Sequence, residues 1–352
     1  MPQNAAIPLH SPSLKLALQE KIDQKTKPLG ALGQIELLAL KIGLIQNSQT
    51  PNLSEPTIII FAGDHGIAEI GVSAYPQTVT GQMVTNFLIG GAAICVFARQ
   101  HQLKLYIVDA GVKADLEFHP NLISRKMAYG TANFLYDPAM SNDICELAIQ
   151  TGIKLVEQQH LAGCNCIGFG EMGIANTSSA ALLVHCLTKI PLRQCIGRGT
   201  GLDDNQFRYK QKVLQQARNT HGIPDTPLDV LAIYGGFEIA MMVGAYLQAA
   251  ERRMIIMVDG FITCAALLVA SKINPVVLDY CVFSHVSSER GHKALLNHLN
   301  AMPLLNLELR LGEGSGIALA YPLLKSAVLF LNEMSSFTEA NVDQKSKSKS
   351  KP

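Results

Sequence analysis

Six carboxylates in this chain stand beside glycine at the ends of apolar runs: Asp64 in FAGDHG, Asp109 in VDAG, Glu171 in GFGEMG, Glu238 in YGGFE, Asp259 in VDGF and Glu313 in LGEGSG. Glycine lets a ligand approach the backbone closely, and a carboxylate supplies a base or an acceptor. Each one alone reads equally well as a helix N-cap. Together they predict a polar crevice floored by glycine. Glu313 stands apart, bracketed by Gly312, Gly314 and Gly316 after one apolar run and before another. With no side-chain neighbours in sequence to solvate it, burial would raise its pKa and make it a usable general base. A loop glutamate capping the next helix is the equal alternative.

Other chemistries are tested by their motifs. No G-x-x-x-x-G-K-[ST] occurs, which removes a P-loop nucleotide enzyme. Gly197, Gly199 and Gly201 in IGRGTGLDD form G-x-G-x-G, without the third glycine's spacing or the later acidic strand end of a dinucleotide fingerprint. That segment fits a nest of amides for a single phosphate, or simply a turn capped by Asp203 or Asp204. Asp64 with His65, and His285 with His292, lack zinc-like spacing and a third ligand. No G-x-S-x-G elbow is present.

The elements that must position these residues repeat one phrase: a β-branched apolar run, a glycine with a carboxylate, then a helical pattern. TIIIFAGDHG, LYIVDAGVK, CIGFGEMG, VLAIYGGFE and MIIMVDGF are five instances, and PVVLDYCVFSH is a sixth strand-like run. Continuous apolar strands alternating with helices predict an α/β fold, a parallel sheet covered by helices on both faces in Rossmann-like fashion. Helices are expected over 80–99, 143–160, 177–188, 206–218, 238–252 and 261–272, with a last one from Gly316 to about Met334. Two more precede the linker QNSQTPNLSEP. The expected organisation is N-terminal helices of a small domain (1–50), a large α/β domain (55–303), an active-site loop and C-terminal helix (304–337) and a disordered Lys/Ser tail (338–352).

Composition agrees. With 48% hydrophobic and 16% charged residues the chain can build a large core and a subunit interface. Net charge is +1, and the lysines of KSKSKSKP more than account for it, so no basic footprint for nucleic acid exists. Eight cysteines without C-x-x-C read as buried hydrophobes in a reducing compartment. No basic-then-apolar leader is seen, and the best membrane candidate, 254–270, is interrupted by Asp259 and Gly260. A cytoplasmic protein without membrane contact is expected.

FAGDHGIAEIGVSAYPQTVTGQM, GFGEMGIANTSSAAL, GRGTGLDD, YGGFEIAMMVGA, VDGFI, His285 to His292 as H-x-S-x-E-x-G-H, and LRLGEGSG together closely resemble the nicotinate-nucleotide:dimethylbenzimidazole phosphoribosyltransferase family of cobalamin nucleotide-loop assembly. The resemblance runs from KPLGALG at Lys27 to about residue 335. It implies transfer of phosphoribose from nicotinate mononucleotide to dimethylbenzimidazole, giving α-ribazole 5'-phosphate and nicotinate, with no metal or organic cofactor because the pyridinium leaving group is already activated. By the same resemblance Glu313 is the general base. Nucleotide contacts fall on Glu171, Gly173, Asn176, Gly201 and Ser287, with Lys210 as a phosphate candidate. Tyr75, Gln82 and Leu311 fall on the base pocket. A small helical domain built from both chain ends and a homodimer are implied too. A non-catalytic α/β protein binding a nucleotide or azole in the same crevice remains a second reading, and another phosphate-binding enzyme such as a dehydrogenase a third. Preference among benzimidazoles, purines and phenols is not legible, since one methyl is worth only about 1–3 kcal/mol in an apolar pocket.

Overall fold

The computed structural model describes residues 6–9, 11–199 and 201–343. The expected Lys/Ser tail lies outside these residues from 344 onward. The chain divides into two bodies, one of residues 6–8 and 54–321 and one of residues 9–53 and 322–343.

The larger body is built on six parallel strands: β1 (Thr57–Gly63), β2 (Lys104–Gly111), β3 (Leu122–Ser124), β4 (Cys166–Met172), β5 (Ile255–Val258) and β6 (Cys281–Phe283). Their order is β3-β2-β1-β4-β5-β6, so the chain reverses direction across the sheet between β1 and β4. Every residue of β1, β4, β5 and β6 is buried, because helices cover both faces. In such sheets ligands bind outside the carboxyl ends of the strands near the reversal.

Three expectations fail locally. VLAIYGGFE is not a strand: Pro227 opens a helix, Pro227–Tyr234, and the Thr226 side chain accepts the Asp229 amide at 3.1 Å. A short apolar run carries no period of its own, and here the capping residues decide it. Glu238 therefore lies not at a strand end but in the first turn of the following helix, Phe237–Glu251. The helix expected over 80–99 is two, Val79–Leu88 and Ala93–His101. Gly90, at φ 79°, breaks it, and Arg99 Nη1 donates to the Gly90 carbonyl at 2.8 Å. PVVLDYCVFSH is a strand only in its second half: Pro275–Tyr280 forms a short 3-10 helix, and Cys281–Phe283 is β6. The three-residue β3 had no clear signal.

Two stretches other than 254–270 reach the length and hydropathy of a membrane span, Val79–His101 and Ser315–Glu333. The first is the broken pair just described. The second is 56% buried over its most apolar window. All eight cysteines are free and buried.

The smaller body is helical. Helices Pro12–Asp23 and Gln34–Ile45 meet where a Cβ on Gly43 would lie 2.7 Å from Leu18 Cδ1. Its C-terminal part adds the remainder of helix Ser315–Glu333 and a short helix, Phe337–Ala340, capped by Ser336. That last helix falls in the stretch expected to be disordered. A bridge pairs Lys25 with Ser336, and Lys27 forms a buried 2.9 Å ion pair with Glu36. Residues 6–8 join the larger body instead, where the Tyr280 hydroxyl donates to the Ile7 carbonyl at 2.6 Å.

Candidate active site

One pocket opens at the carboxyl ends of β4, β5 and β6. Its floor follows from β4, whose sequence CIGFGEM places Gly168 and Gly170 two residues apart and so on one face. A Cβ on Gly170 would lie 2.6 Å from the Glu313 carbonyl oxygen and 2.8 Å from the Gly314 amide. Only glycine leaves room for the Glu313 loop to cross β4 there.

The loop itself is held from β5. Asp259 Oδ2 accepts the Gly314 amide at 3.0 Å and Oδ1 accepts the Gly316 amide at 2.9 Å. These hold the first turn of helix Ser315–Glu333 and with it the residue just before. Gly312, Glu313 and Gly314 all have positive φ, at 82°, 64° and 82°. For glutamate this conformation is strained, and the fixed flanking amides maintain it.

Glu313 is 6% exposed and lines the pocket, and among the described residues its carboxylate accepts no hydrogen bond. Burial, with Asp259 nearby, pushes it up to about 7. Glu171, at the end of β4, faces the same pocket and is pushed up to about 8 by burial, opposed by the hydrogen bond from Asn176 Nδ2 to its Oε2. Burial raises Asp259 too, against His285 and the Gly314 and Gly316 amides. Three carboxylates whose ionisation is costly thus share one end of the sheet.

Beside the pocket lie a buried cation and several hydrogen-bond donors, together with the Glu289 carboxylate, which accepts the Gly199 amide at 3.4 Å. Helix Asn176–Thr188 starts in the pocket, after Ala175 at φ 76°, a second strained non-glycine residue. Lys210 is 1% exposed, donates to Thr177 Oγ1 at 2.8 Å, and is pushed down to about 8 by burial. A Cβ on Gly199 would sit 3.6 Å from its Nζ. A buried ammonium whose described hydrogen-bond partner is a neutral hydroxyl, beside a helix N-terminus, suits an anion.

Of the residues picked from sequence, Glu171, Gly173, Asn176, Ser287, Leu311 and Glu313 line this pocket together. Lys210 reaches it through Thr177. Gly201 does not line it; the neighbouring Gly199 does. Tyr75, 53% exposed, and Gln82, also exposed, are not among the lining residues. The sequence reading missed Thr177, Phe261, Glu289 and Arg310. Phe261 and Arg310 adjoin VDG and LGEG, and that adjacency was the available signal.

His65 and Glu238 form a separate buried group, with Nε2 2.6 Å from Oε1 and with Ser179 Oγ 3.0 Å from Nδ1. They are not among the pocket's lining residues.

The sequence model of a family described as "Phosphoribosyltransferase" matches residues 7–342. The nicotinate-nucleotide–dimethylbenzimidazole phosphoribosyltransferase of Cupriavidus necator is 58% identical over 330 residues, covering 94% of this chain and 95% of that protein. The protein of the same name from Dechloromonas aromatica is 58% identical over 336 residues, covering 94% and 96%. The crystal structure of CobT from Thermus thermophilus superposes with a TM-score of 0.92 at 39% identity, covering 95% of this chain and all of that one. Matched over nearly its whole length in sequence and in fold, this chain belongs to the family of these enzymes, the phosphoribosyltransferases of the nicotinate-nucleotide–dimethylbenzimidazole type.

Proposed function

We propose that the protein transfers the phosphoribosyl group of nicotinate mononucleotide to dimethylbenzimidazole, releasing nicotinate and α-ribazole 5'-phosphate for cobalamin lower-ligand synthesis. Family membership supports the overall reaction. The observation that carries the mechanism is the unbonded Glu313 carboxylate, which opens on a pocket that the buried Lys210 reaches through Thr177.

One nitrogen of the base attacks the anomeric carbon of the ribose. The bond from that carbon to the pyridinium nitrogen breaks, its electron pair returns to the ring, and nicotinate leaves. Attack from the opposite side gives the α configuration. The base, now cationic, becomes strongly acidic at its second nitrogen, and Glu313 takes that proton. The pyridinium carries its own activation, so this step draws on no cofactor.

Two raised carboxylates in one pocket divide the work. Burial raises both Glu313 and Glu171, and the charge of Glu313 raises Glu171 further, so the pocket favours one ionised carboxylate over two. The working base is then not opposed by a second full charge. We assign Asn176, Thr177, Gly199, Lys210 and Ser287 to the phosphoribosyl end. Leu311 and Phe261 line the pocket beside Glu313 and are placed against the aromatic base, with Tyr75 and Gln82 kept as the further base-pocket residues that the resemblance implies.

We also read the protein as a cytoplasmic homodimer. The eight free, buried thiols and the apolar side chains left on the surface, among them Leu147 at 51% and Ile223 at 43% exposure, support this. The test of the activity is turnover: nicotinate must be released from nicotinate mononucleotide only when dimethylbenzimidazole is present. Release without the base, or binding of both without release, would sink it.

A further inference from the structure

The segment between β6 and helix Arg290–His298 has amides that alternate. Val286 N–H donates to the Leu305 carbonyl and Ser288 N–H to the Leu309 carbonyl, each at 2.9 Å. The Ser287 amide between them bonds elsewhere: its acceptor is Nδ1 of His292, at 2.8 Å. His292 is fully buried and is not among the pocket's lining residues. Its Nε2 lies 3.2 Å from Cys264 Sγ. A ring nitrogen that accepts an amide carries no proton, so the proton of the neutral ring sits on Nε2 and is donated to the sulfur. Burial, with His285 alongside, pushes the ring down to about 3, so it stays neutral at neutral pH and the amide hydrogen bond sets its tautomer.

The consequence falls on Ser287, which does line the pocket. Its Oγ accepts the Glu289 amide at 3.2 Å, and among the described residues its hydroxyl proton has no acceptor. That hydroxyl is left to donate to whatever enters. Without the imidazole, the Ser287 amide would be a buried donor with no partner, and the segment would have to shift to find one.

We propose that His292 is a positioning residue for the phosphoribosyl end of the site, fixing the Ser287 main chain through one amide–imidazole hydrogen bond so that the Ser287 hydroxyl meets the substrate phosphate. The inference rests on the transferase reading given above and on Ser287 facing the phosphate. It assigns work to a histidine that touches no substrate.

Two variants and one spectrum test it. His292→Leu keeps bulk but has no acceptor; His292→Asn places a carbonyl oxygen near the former Nδ1. For His292→Leu the KM for nicotinate mononucleotide should rise about tenfold to a hundredfold, while kcat and the KM for dimethylbenzimidazole stay within about threefold. His292→Asn should recover most of that loss. An unchanged mononucleotide KM, or equal loss on both substrates, would overturn the proposal. Nitrogen-15 spectra of the wild-type imidazoles must show His292 protonated on Nε2 and bare on Nδ1. A proton on Nδ1 overturns it whether or not either variant folds. Failure of the transferase reading itself looks different, because then the wild-type protein has no turnover to perturb.

Discussion

Asp259 and Gly314 are joined by a hydrogen bond of 3.0 Å from the Gly314 amide to Oδ2, and the residue between Gly312 and Gly314 is Glu313. A carboxylate at the end of β5 thus sets the pose of a second carboxylate that it does not touch. Asp259 accepts two amides, one on each oxygen. Asn keeps one acceptor and turns an NH2 group toward the other amide. Asp259→Asn should lower kcat by about tenfold or more, with the KM for nicotinate mononucleotide little changed and a stability loss of about 1–3 kcal/mol. Steady-state kinetics with a melting curve checks both. A large stability loss with full kcat would mean that Asp259 serves the fold and not the loop.

Glu313→Gln keeps size and polarity but cannot take the proton. Turnover should fall about 10²–10⁴-fold while mononucleotide affinity holds, as calorimetry would show. The wild-type pH profile carries the same signature. Below about 7 the Glu313 carboxyl holds its proton and cannot accept another, so kcat should fall toward acid with a limb near that value. The limb should vanish in Glu313→Gln. If it survives, the titrating group is elsewhere.

Glu171 makes a stability prediction. Its folded value, about 8, lies above its unfolded one near 4.5, so the folded state holds a proton that the unfolded state has lost between them. Its contribution is full below about 4.5 and is lost as pH rises through about 8. Glu171→Gln removes this dependence. The variant's stability relative to wild type should rise by at least about 1 kcal/mol from pH 5 to pH 8.5, seen as a growing Tm difference, since each pKa unit is worth about 1.4 kcal/mol. A constant Tm difference across that range would show that Glu171 ionises normally in the folded protein.

The homodimer reading is tested by light scattering at micromolar concentration. Twice the chain mass of 38.0 kDa is expected. A single-chain mass would return the exposed apolar side chains to ordinary surface.

The parts of the site that sequence made legible are those whose chemistry is local. Glu171 and Glu313 announce themselves by a carboxylate between glycines, whereas Asn176 and Ser287 entered through the family resemblance. What stayed hidden depends on distant strands or on conformation. Thr177 gains its role only because Lys210, 33 residues later, comes back to it. Ala175 adopts φ 76° with no glycine or asparagine to signal it. VLAIYGGFE misled because four or five apolar residues fit a strand or a buried helix equally, and a threonine outside the run decided the matter. Tyr75 and Gln82 entered by family resemblance, as did Ser287 and Leu311, and only the latter pair line the pocket.

Gly170 offers the sharpest separation of fold from function. It lies inside β4, where alanine would cost the strand nothing in backbone conformation and would reduce the chain's freedom when unfolded. Yet the added Cβ would stand 2.6 Å from the Glu313 carbonyl oxygen, 2.7 Å from its carbonyl carbon and 2.8 Å from the Gly314 amide. All three are backbone atoms, so the loop cannot yield by turning a side chain. It must lift. Gly168 supplies a comparison on the same face, since its Cβ would meet the Ile317 side chain at 2.8 and 2.9 Å and the Met257 carbonyl oxygen at 3.3 Å, and no backbone atom of the Glu313 loop. Gly170→Ala should therefore keep the sheet by circular dichroism and lose about 1–3 kcal/mol, while turnover falls about 100-fold, the cost of misplacing a catalytic group by about 1 Å. Gly168→Ala should lose far less activity for a similar change in stability. If Gly170→Ala turns over like wild type, the pose of Glu313 is not set by its crossing of β4, and the general-base assignment loses its geometric support.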